Sequence, residues 1–499
     1  MTTTNTYSET KVRPTGWESA PDSERFSLSH MGHIMPKIYV LIAEVFSLPE
    51  QADKDAIIKS LVAGLEFALS QFPLLVGALE MDEASGRMWV SKKKTSTLSL
   101  HVKHMLSTDD FPSYDELARK GFPANLIAGH QLLPESVTAK QLHSPLGDNS
   151  QEGLAVATFQ INFIGGGLIL GAAVHHCVSD GPGCDGFLTT WAQNSAAAAE
   201  GKSFVPITPF RISGTPLDVA DPSPDRIADL VAAYPVVKDA GGPMAPPPAG
   251  FQMPVFSQQM WHFPRSKLEQ LKKAASPKQT STESTHVDNN SSSSWVSTYD
   301  AIVALLWSGI TRARIDLFHP DPETTALMVN ALDTRRIWKP PLPGRFLGVG
   351  AAPARSEPIA IRDIVQLPDN LPCLAAAVRS SIRAMTPQYV TGLLEWVAGH
   401  PDRRWLEIDI RSFLGMDLAA SSWQGMSAYS QHDFGFGLPS ALRWPSPAMD
   451  GFVFLYPSRA ATPGADPDEG VELCVCLETS CQQRLLKDEQ VLQFAHPRG

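Results

Sequence analysis

The stretch from Gly165 to Gly181, Gly-Gly-Gly-Leu-Ile-Leu-Gly-Ala-Ala-Val-His-His-Cys-Val-Ser-Asp-Gly, constrains this chain more than any other. An apolar run ends abruptly in His175 and His176, and Asp180-Gly181-Pro182 then turns the chain. This pattern predicts a buried strand that delivers an imidazole to the mouth of a cavity. An imidazole titrates near neutral pH, so it can take a proton from a substrate and later return it. In a chain with 14 histidines, a bare H-x-x-x-D is expected about once by chance. Requiring His175, Gly181 and an upstream strand lowers that expectation roughly a thousandfold. Neighbouring strand residues face opposite ways, so only one of the two histidines can line the cavity.

Composition narrows the field. The chain has 499 residues, 43% apolar and 19% charged, which predicts a soluble globular protein with two or more domains. A formal net charge of −11 argues against a nucleic-acid or membrane partner, and an anionic ligand must find a local basic pocket. The N-terminus has no basic region followed by an apolar one, so no secretory signal is expected. The apolar run from Phe163 to Val174 is shorter than the ~20 residues that span a bilayer. Six cysteines form no C-x-x-C pair. Cys474 and Cys476 alternate in Val471-Glu-Leu-Cys-Val-Cys-Leu-Glu478, a strand pattern that suits core packing. A reducing cytoplasm is the expected setting.

Residues 1 to about 24 are polar, and Phe26 to Phe46 reads as a turn feeding a long strand. Asp53 to Gln71 carries Ile57, Leu61, Leu65 and Ala68 at helical spacing and stops before Phe72-Pro73. Strands and amphipathic helices alternate to about residue 200, predicting a mixed α/β architecture. Dense prolines then mark 206–255 as an extended crossover between domains 1–205 and 256–499. Ser276 to Ser294 is low in complexity and reads as a loop. Val296 to Arg314 is a strong helix with Ser297 and Thr298 as N-cap candidates. The run Lys92-Lys93-Lys94 reads as a solvated turn, and no internal repeat occurs.

Far downstream, Asp433-Phe-Gly-Phe-Gly437 sets two aromatics among glycines and predicts a tight loop. Taken with His176-Cys-Val-Ser-Asp180-Gly181, it makes the chain resemble the BAHD acyltransferases, particularly the fungal branch that includes trichothecene O-acetyltransferases. The first segment matches H-x-x-x-D-G, and the second matches D-F-G-W-G with Phe436 in place of Trp. Weaker likenesses follow in the family's order: Phe72 to Leu79, the helix from Ser297 to Arg314, Asp333-Thr-Arg-Arg336 with Pro340 to Pro343, and Ser421-Ser-Trp423.

The resemblance implies a fold of the chloramphenicol-acetyltransferase-like type, with two similar-sized mixed-sheet α/β domains and a solvent channel between them. It implies an acyl-CoA-dependent O-acyltransferase that moves an acyl group, acetyl by default, to a hydroxyl or amine of a small secondary metabolite. Acyl-CoA would be a co-substrate, with no tightly bound cofactor, no metal, and a monomeric protein. His176, in register with the motif, would be the general base in a ternary complex, leaving His175 as a buried packing residue. Asp180 would pair with Arg335, with Arg336 as a rival, rather than orient the base. Ser421 and Trp423 would be oxyanion donors. Asp433, Gly435 and Gly437 would be structural at the site, with Asp433 fixing its loop through an internal ion pair. Ser297 and Thr298 would contact coenzyme A, and Lys278 and Arg443 could add charge.

Other assignments compete at the same residues. Zinc would need further convergent ligands, and adjacent strand histidines diverge. Cys177 could be a nucleophile, but it points away from His176. The chain has no G-x-S-x-G nucleophile elbow, in keeping with a lone base. The double histidine also marks condensation domains, whose donor rides on a carrier protein; the Asp433 loop favours free coenzyme A. A non-catalytic small-molecule-binding protein of the same fold would be free to lose His176 and Asp180, and both are intact.

Overall fold

The computed structural model describes residues 7–107, 110–138, 154–207, 215–242, 250–277, 295–445 and 449–499. Two large mixed sheets organise it. The first has six strands in the order Tyr7–Val12, Leu98–Met105, Ala157–Ile164, Gly167–His175, Tyr39–Ser47 and Ala441–Arg443. Its one parallel pair is Leu98–Met105 with Ala157–Ile164. The second has seven strands, Ala351–Arg355, Met328–Asp333, Leu418–Ser422, Phe452–Leu455, Val471–Glu478, Phe256–Phe263 and His496–Arg498. A smaller four-stranded sheet joins Ser23–Ser27, Met88–Lys93, Ala78–Met81 and Leu154–Ala155.

The motif strand Gly167–His175 is buried along its whole length. It lies between Ala157–Ile164 and Tyr39–Ser47, and a strand covered on both faces reads as a continuous apolar run rather than an alternation. The motif helix, Gly181–Ala199, follows immediately and packs with the helix Lys54–Gln71 over this sheet. Asp53 caps the latter, its carboxylate accepting from Ala56 N–H at 3.0 Å, and Phe72-Pro73 ends it as the sequence predicts.

A second core forms around the other sheet under the helices Thr298–Phe318 and Leu371–Ala384. A third joins Met31, Ile34 and Met35 to Leu217, Leu230 and Val390, drawing on distant parts of the sequence. Cys474 and Cys476 are buried in the strand Val471–Glu478. No helix among the described residues is long and apolar enough to cross a membrane.

Two expectations about charge are corrected here. Lys92 is not in a solvated turn: it is buried in the strand Met88–Lys93, directly opposite Glu24, to which it is ion-paired. The cross-strand register, invisible in the local sequence, supplies its countercharge. Arg443 is not a ligand-facing cation either. It is fully buried and grips Glu472 with two hydrogen bonds of 2.8 and 3.0 Å. Its Nε–H donates to the Phe122 carbonyl at 2.8 Å, so no donor edge is left for a phosphate. Lys278 lies outside the described residues.

Candidate active site

His176 stands just past the end of the motif strand, its backbone N–H donating to the Ile38 carbonyl at 2.8 Å. Its ring is half-buried. Nδ1 is enclosed and finds no hydrogen-bond partner among the described residues. Burial lowers the pKa of this imidazole, while Asp180 and the backbone at His176 and Ser179 work in the opposite direction. His175 is fully buried, edge-on to Tyr39 at 5.2 Å between ring centroids, in agreement with the opposed directions expected of strand neighbours. Cys177 is also fully buried, and burial pushes its thiol up to about 11, which removes the thiolate a nucleophile needs.

Asp180 caps the motif helix and is saturated with donors. Oδ1 accepts from Gly183 N–H at 2.9 Å and Arg335 Nη2–H at 2.7 Å. Oδ2 accepts from Arg335 Nη1–H at 3.0 Å and from the N–H groups of Gly350 and Ala351 at 2.8 and 2.7 Å. Burial alone would raise its pKa, but the Arg335 guanidinium and these N–H groups hold it below the usual carboxylate range. Arg335 also donates to Asp333 and to the Phe346 and Gly348 carbonyls, whereas Arg336 is exposed. The carboxylate thus ties the motif turn to the segment 333–351, and no hydrogen bond joins it to His176.

The first residue of the helix brings in a second element. A Cβ added at Gly181 would stand 2.8 Å from Trp423 Nε1, so only a hydrogen fits beneath that indole. Trp423 follows the strand Leu418–Ser422, and its backbone N–H is held by the Leu455 carbonyl at 2.7 Å. Its ring packs among Trp444, Phe454 and Tyr456. No hydrogen bond joins its Nε1–H to another of the described residues. Ser421, half-buried, precedes it by two residues on the same strand.

Ser297 is the N-cap of the helix Thr298–Phe318 in a reciprocal capping box. Its hydroxyl accepts from Asp300 N–H at 3.2 Å, and Asp300 Oδ2 accepts from Ser297 N–H at 2.6 Å. Arg379 neutralises Asp300, its Nε–H donating at 2.7 Å. The exposed Trp295 is flanked by Arg379 and Lys272, 4.8 and 5.4 Å from its ring. This basic edge is not legible in the sequence, because its members come from three separate segments.

Asp433 to Gly437 forms a tight loop, but not through an ion pair. Gly435 and Gly437 take φ of +100° and +105°, which turns both N–H groups onto Asp433 Oδ1 at 2.8 and 2.9 Å. Asp433 makes no ion pair among the described residues. Phe434 is buried against Trp191 and Phe46, and Phe436 packs edge-on to Phe46 at 5.1 Å. Gly435 lies over Ala196 and Ala199, at the distal end of the motif helix. At ~1.5 Å per residue, that is about 22 Å along the helix from Gly181. Asp433, Gly435 and Gly437 therefore belong to the scaffold, away from His176. An open groove of about 440 Å³, lined in part by Gln193, Lys202 and Asp433, lies at this same distal end and touches neither His176 nor Trp423.

A family model described as the trichothecene 3-O-acetyltransferase-like N-terminal domain matches residues 38–193. A second, described as the transferase family, matches residues 130–490. The acetyltransferase FGR3 of Gibberella zeae is 28% identical over 498 residues, covering 98% of this chain and 93% of that protein. The trichothecene 3-O-acetyltransferase TRI101 of Fusarium sporotrichioides is 25% identical over 474 residues, covering 92% and 93%. The crystal structure of F. graminearum TRI101 complexed with coenzyme A and T-2 mycotoxin superposes with a TM-score of 0.74 at 17% identity, covering 95% of this chain and 100% of that one. The mixed two-sheet architecture is shared with it.

Proposed function

Because the chain belongs to the transferase family of BAHD-type acyltransferases, we propose that it transfers an acyl group, acetyl in the first instance, from a coenzyme A thioester to a hydroxyl of a small secondary metabolite. The observation that carries this reading is the division of labour at the motif. Asp180 is consumed by two hydrogen bonds from Arg335 and three from backbone N–H groups, so His176 is left as a lone base.

His176 takes the hydroxyl proton as the acceptor oxygen attacks the thioester carbonyl. Nδ1 is enclosed, which leaves Nε2 for that proton. The Trp423 indole N–H and Ser421 hydroxyl are the candidate donors to the tetrahedral oxyanion. When the C–S bond breaks, His176 returns its proton to the departing thiolate, and no acyl group resides on the protein. Ser297 and Thr298, with Lys272 and Arg379 nearby, offer hydroxyls and positive charge for the phosphates of coenzyme A. That a fold relative holds coenzyme A and T-2 mycotoxin together supports a ternary complex.

The test is to incubate the protein with acetyl-CoA and a panel of hydroxylated small molecules, following free thiol by absorbance. Thiol should appear only when an acceptor is present, and intact-mass spectra after donor alone should show no acyl adduct. A stoichiometric, kinetically competent adduct would overturn the ternary mechanism. Silence with every acyl-CoA, against activity with a carrier-bound donor, would overturn the choice of donor.

A further inference from the structure

Between the Trp423 strand and the Asp433 loop, residues 423–432 run along the motif helix and touch it at three successive turns. Trp423 lies on Gly181. Ser427 meets Asp185, its N–H and hydroxyl donating to the carboxylate at 2.8 and 3.0 Å. Thr189, one turn further, hydrogen-bonds Ser427 Oγ at 3.0 Å and His432 Nε2 at 3.1 Å. His432 is fully buried, and each ring nitrogen faces a carboxylate: Nδ1 is 2.5 Å from Glu44 Oε1, and Nε2 is 3.3 Å from Asp185 Oδ1. Only an imidazolium can donate to both sides.

Glu44 comes from the strand Tyr39–Ser47, where it is fully buried with Oε2 unpartnered among the described residues. The same strand pairs with Ala441–Arg443, Leu442 opposite Glu44. The chain from 432 to 443 therefore clasps that strand twice, once by charge and once by backbone pairing.

We propose that His432 is a positioning residue, a permanently charged strut that sets Trp423 and the His176 turn in their mutual register. It acts through Asp185 and Ser427, and this role rests on the acyl-transfer reading given above. The motif helix is pinned at its N-cap by Asp180 and Arg335 and farther along by Arg345, which donates to Thr190 and Gln193 at 3.1 and 2.8 Å. The Glu44–His432–Asp185 bridge, one turn along, is the pin that joins the helix to the segment carrying Trp423. Burial by itself would lower the His432 pKa, but Glu44 and Asp185 outweigh it and raise the group to about 10. The strut thus stays charged across the pH range in which His176 titrates.

The experiment uses full-length protein labelled at histidine Cε1 and tryptophan indole nitrogen, with His176→Ala and Trp423→Phe to assign the two site resonances. In the wild type, the His432 signal should keep its imidazolium position from about pH 6 to 9. In His432→Gln, the Trp423 indole signal and the His176 titration midpoint should both move. Below the melting range, kcat should fall roughly tenfold to a hundredfold, with KM for acetyl-CoA within about twofold. Should His432→Gln fail to fold, Thr189→Val removes the hydroxyl's bonds to Ser427 and His432, Ser427→Ala those to Thr189 and Asp185, and both are read in the same way.

A lower melting temperature with both site resonances and kcat unmoved would make the bridge merely structural and end the proposal. So would a His432 signal that titrates near the ordinary histidine value. Movement of the two resonances in a protein that transfers no acyl group would keep the strut and sink the acyl-transfer reading.

Discussion

Burial lowers the His176 pKa against the opposing pull of Asp180 and the local backbone. The neutral form, which alone can accept a proton, then persists to lower pH than in a free imidazole. Activity should rise with pH through a midpoint below about 6.5 and be flat above it, checked by kcat/KM from pH 5 to 8. A profile that falls as pH rises from 5 to 8, with chemistry rate-limiting, would remove the imidazole as the base. His176→Ala should cost roughly 10²–10⁴ in rate and leave the melting temperature nearly unchanged, since a half-buried ring with an unpartnered Nδ1 adds little to packing. At this scale the sequence was legible where residue type and turn chemistry decide the outcome: His176 after its strand, the buried His175, Asp180 in the turn behind them. It misled where a distant partner decides. Lys92 and Arg443 look like solvent-facing cations until Glu24 and Glu472, 68 and 29 residues away, come to lie against them.

The motif helix shows what an element adds to a motif. Its N-terminus is defined by the Asp180–Arg335 pair, buried on both sides. Asp180→Asn and Arg335→Ala should each cost about 3–5 kcal/mol of stability, because each strands a buried partner. The double variant should cost less than the sum of the two singles, and chemical denaturation of all four proteins measures the cycle. The sign with pH is fixed by the direction of the Asp180 shift. Its folded pKa is depressed, so the contribution is fully present above the ordinary carboxylate value near 3.9. It is lost only as pH falls through the lower folded value, so the gap between wild type and Asp180→Asn should stay constant from pH 5 to 8. Normal melting with abolished turnover in Asp180→Asn would make Asp180 the orienting partner of the base instead. The glycines of Asp433 to Gly437 announced a tight loop. What they could not announce is its place at the far end of this helix, which depends on Phe434 finding Trp191 and Phe46.

At the scale of the whole molecule, the two large sheets share chain in a way that composition alone did not reveal. The first sheet is built from residues 7–175 except for its last strand, Ala441–Arg443, which crosses over to pair with Tyr39–Ser47. Three residues give no periodicity to read, and their pairing depends on the Asp433 loop and the Arg443–Glu472 ion pair on either side. The mixed α/β class, in contrast, was legible from the alternation of long strands and helices. Deprived of residues 206–499, the N-terminal part would expose the edge of Tyr39–Ser47 and leave Glu44 without His432 in an otherwise apolar strand. It would also uncover Met31, Ile34 and Met35, which pack on Leu217, Leu230 and Val390. A fragment of residues 1–205 should therefore lack a cooperative thermal transition and give a poorly dispersed amide NMR spectrum, whereas the full chain should melt in one transition with calorimetric and van't Hoff enthalpies in agreement. A fragment that melts cooperatively with native-like dispersion would show that the crossing strand and the third core are additions to an autonomous domain. The positioning of Trp423 against Gly181 would then have to be explained as docking between two independently folded units.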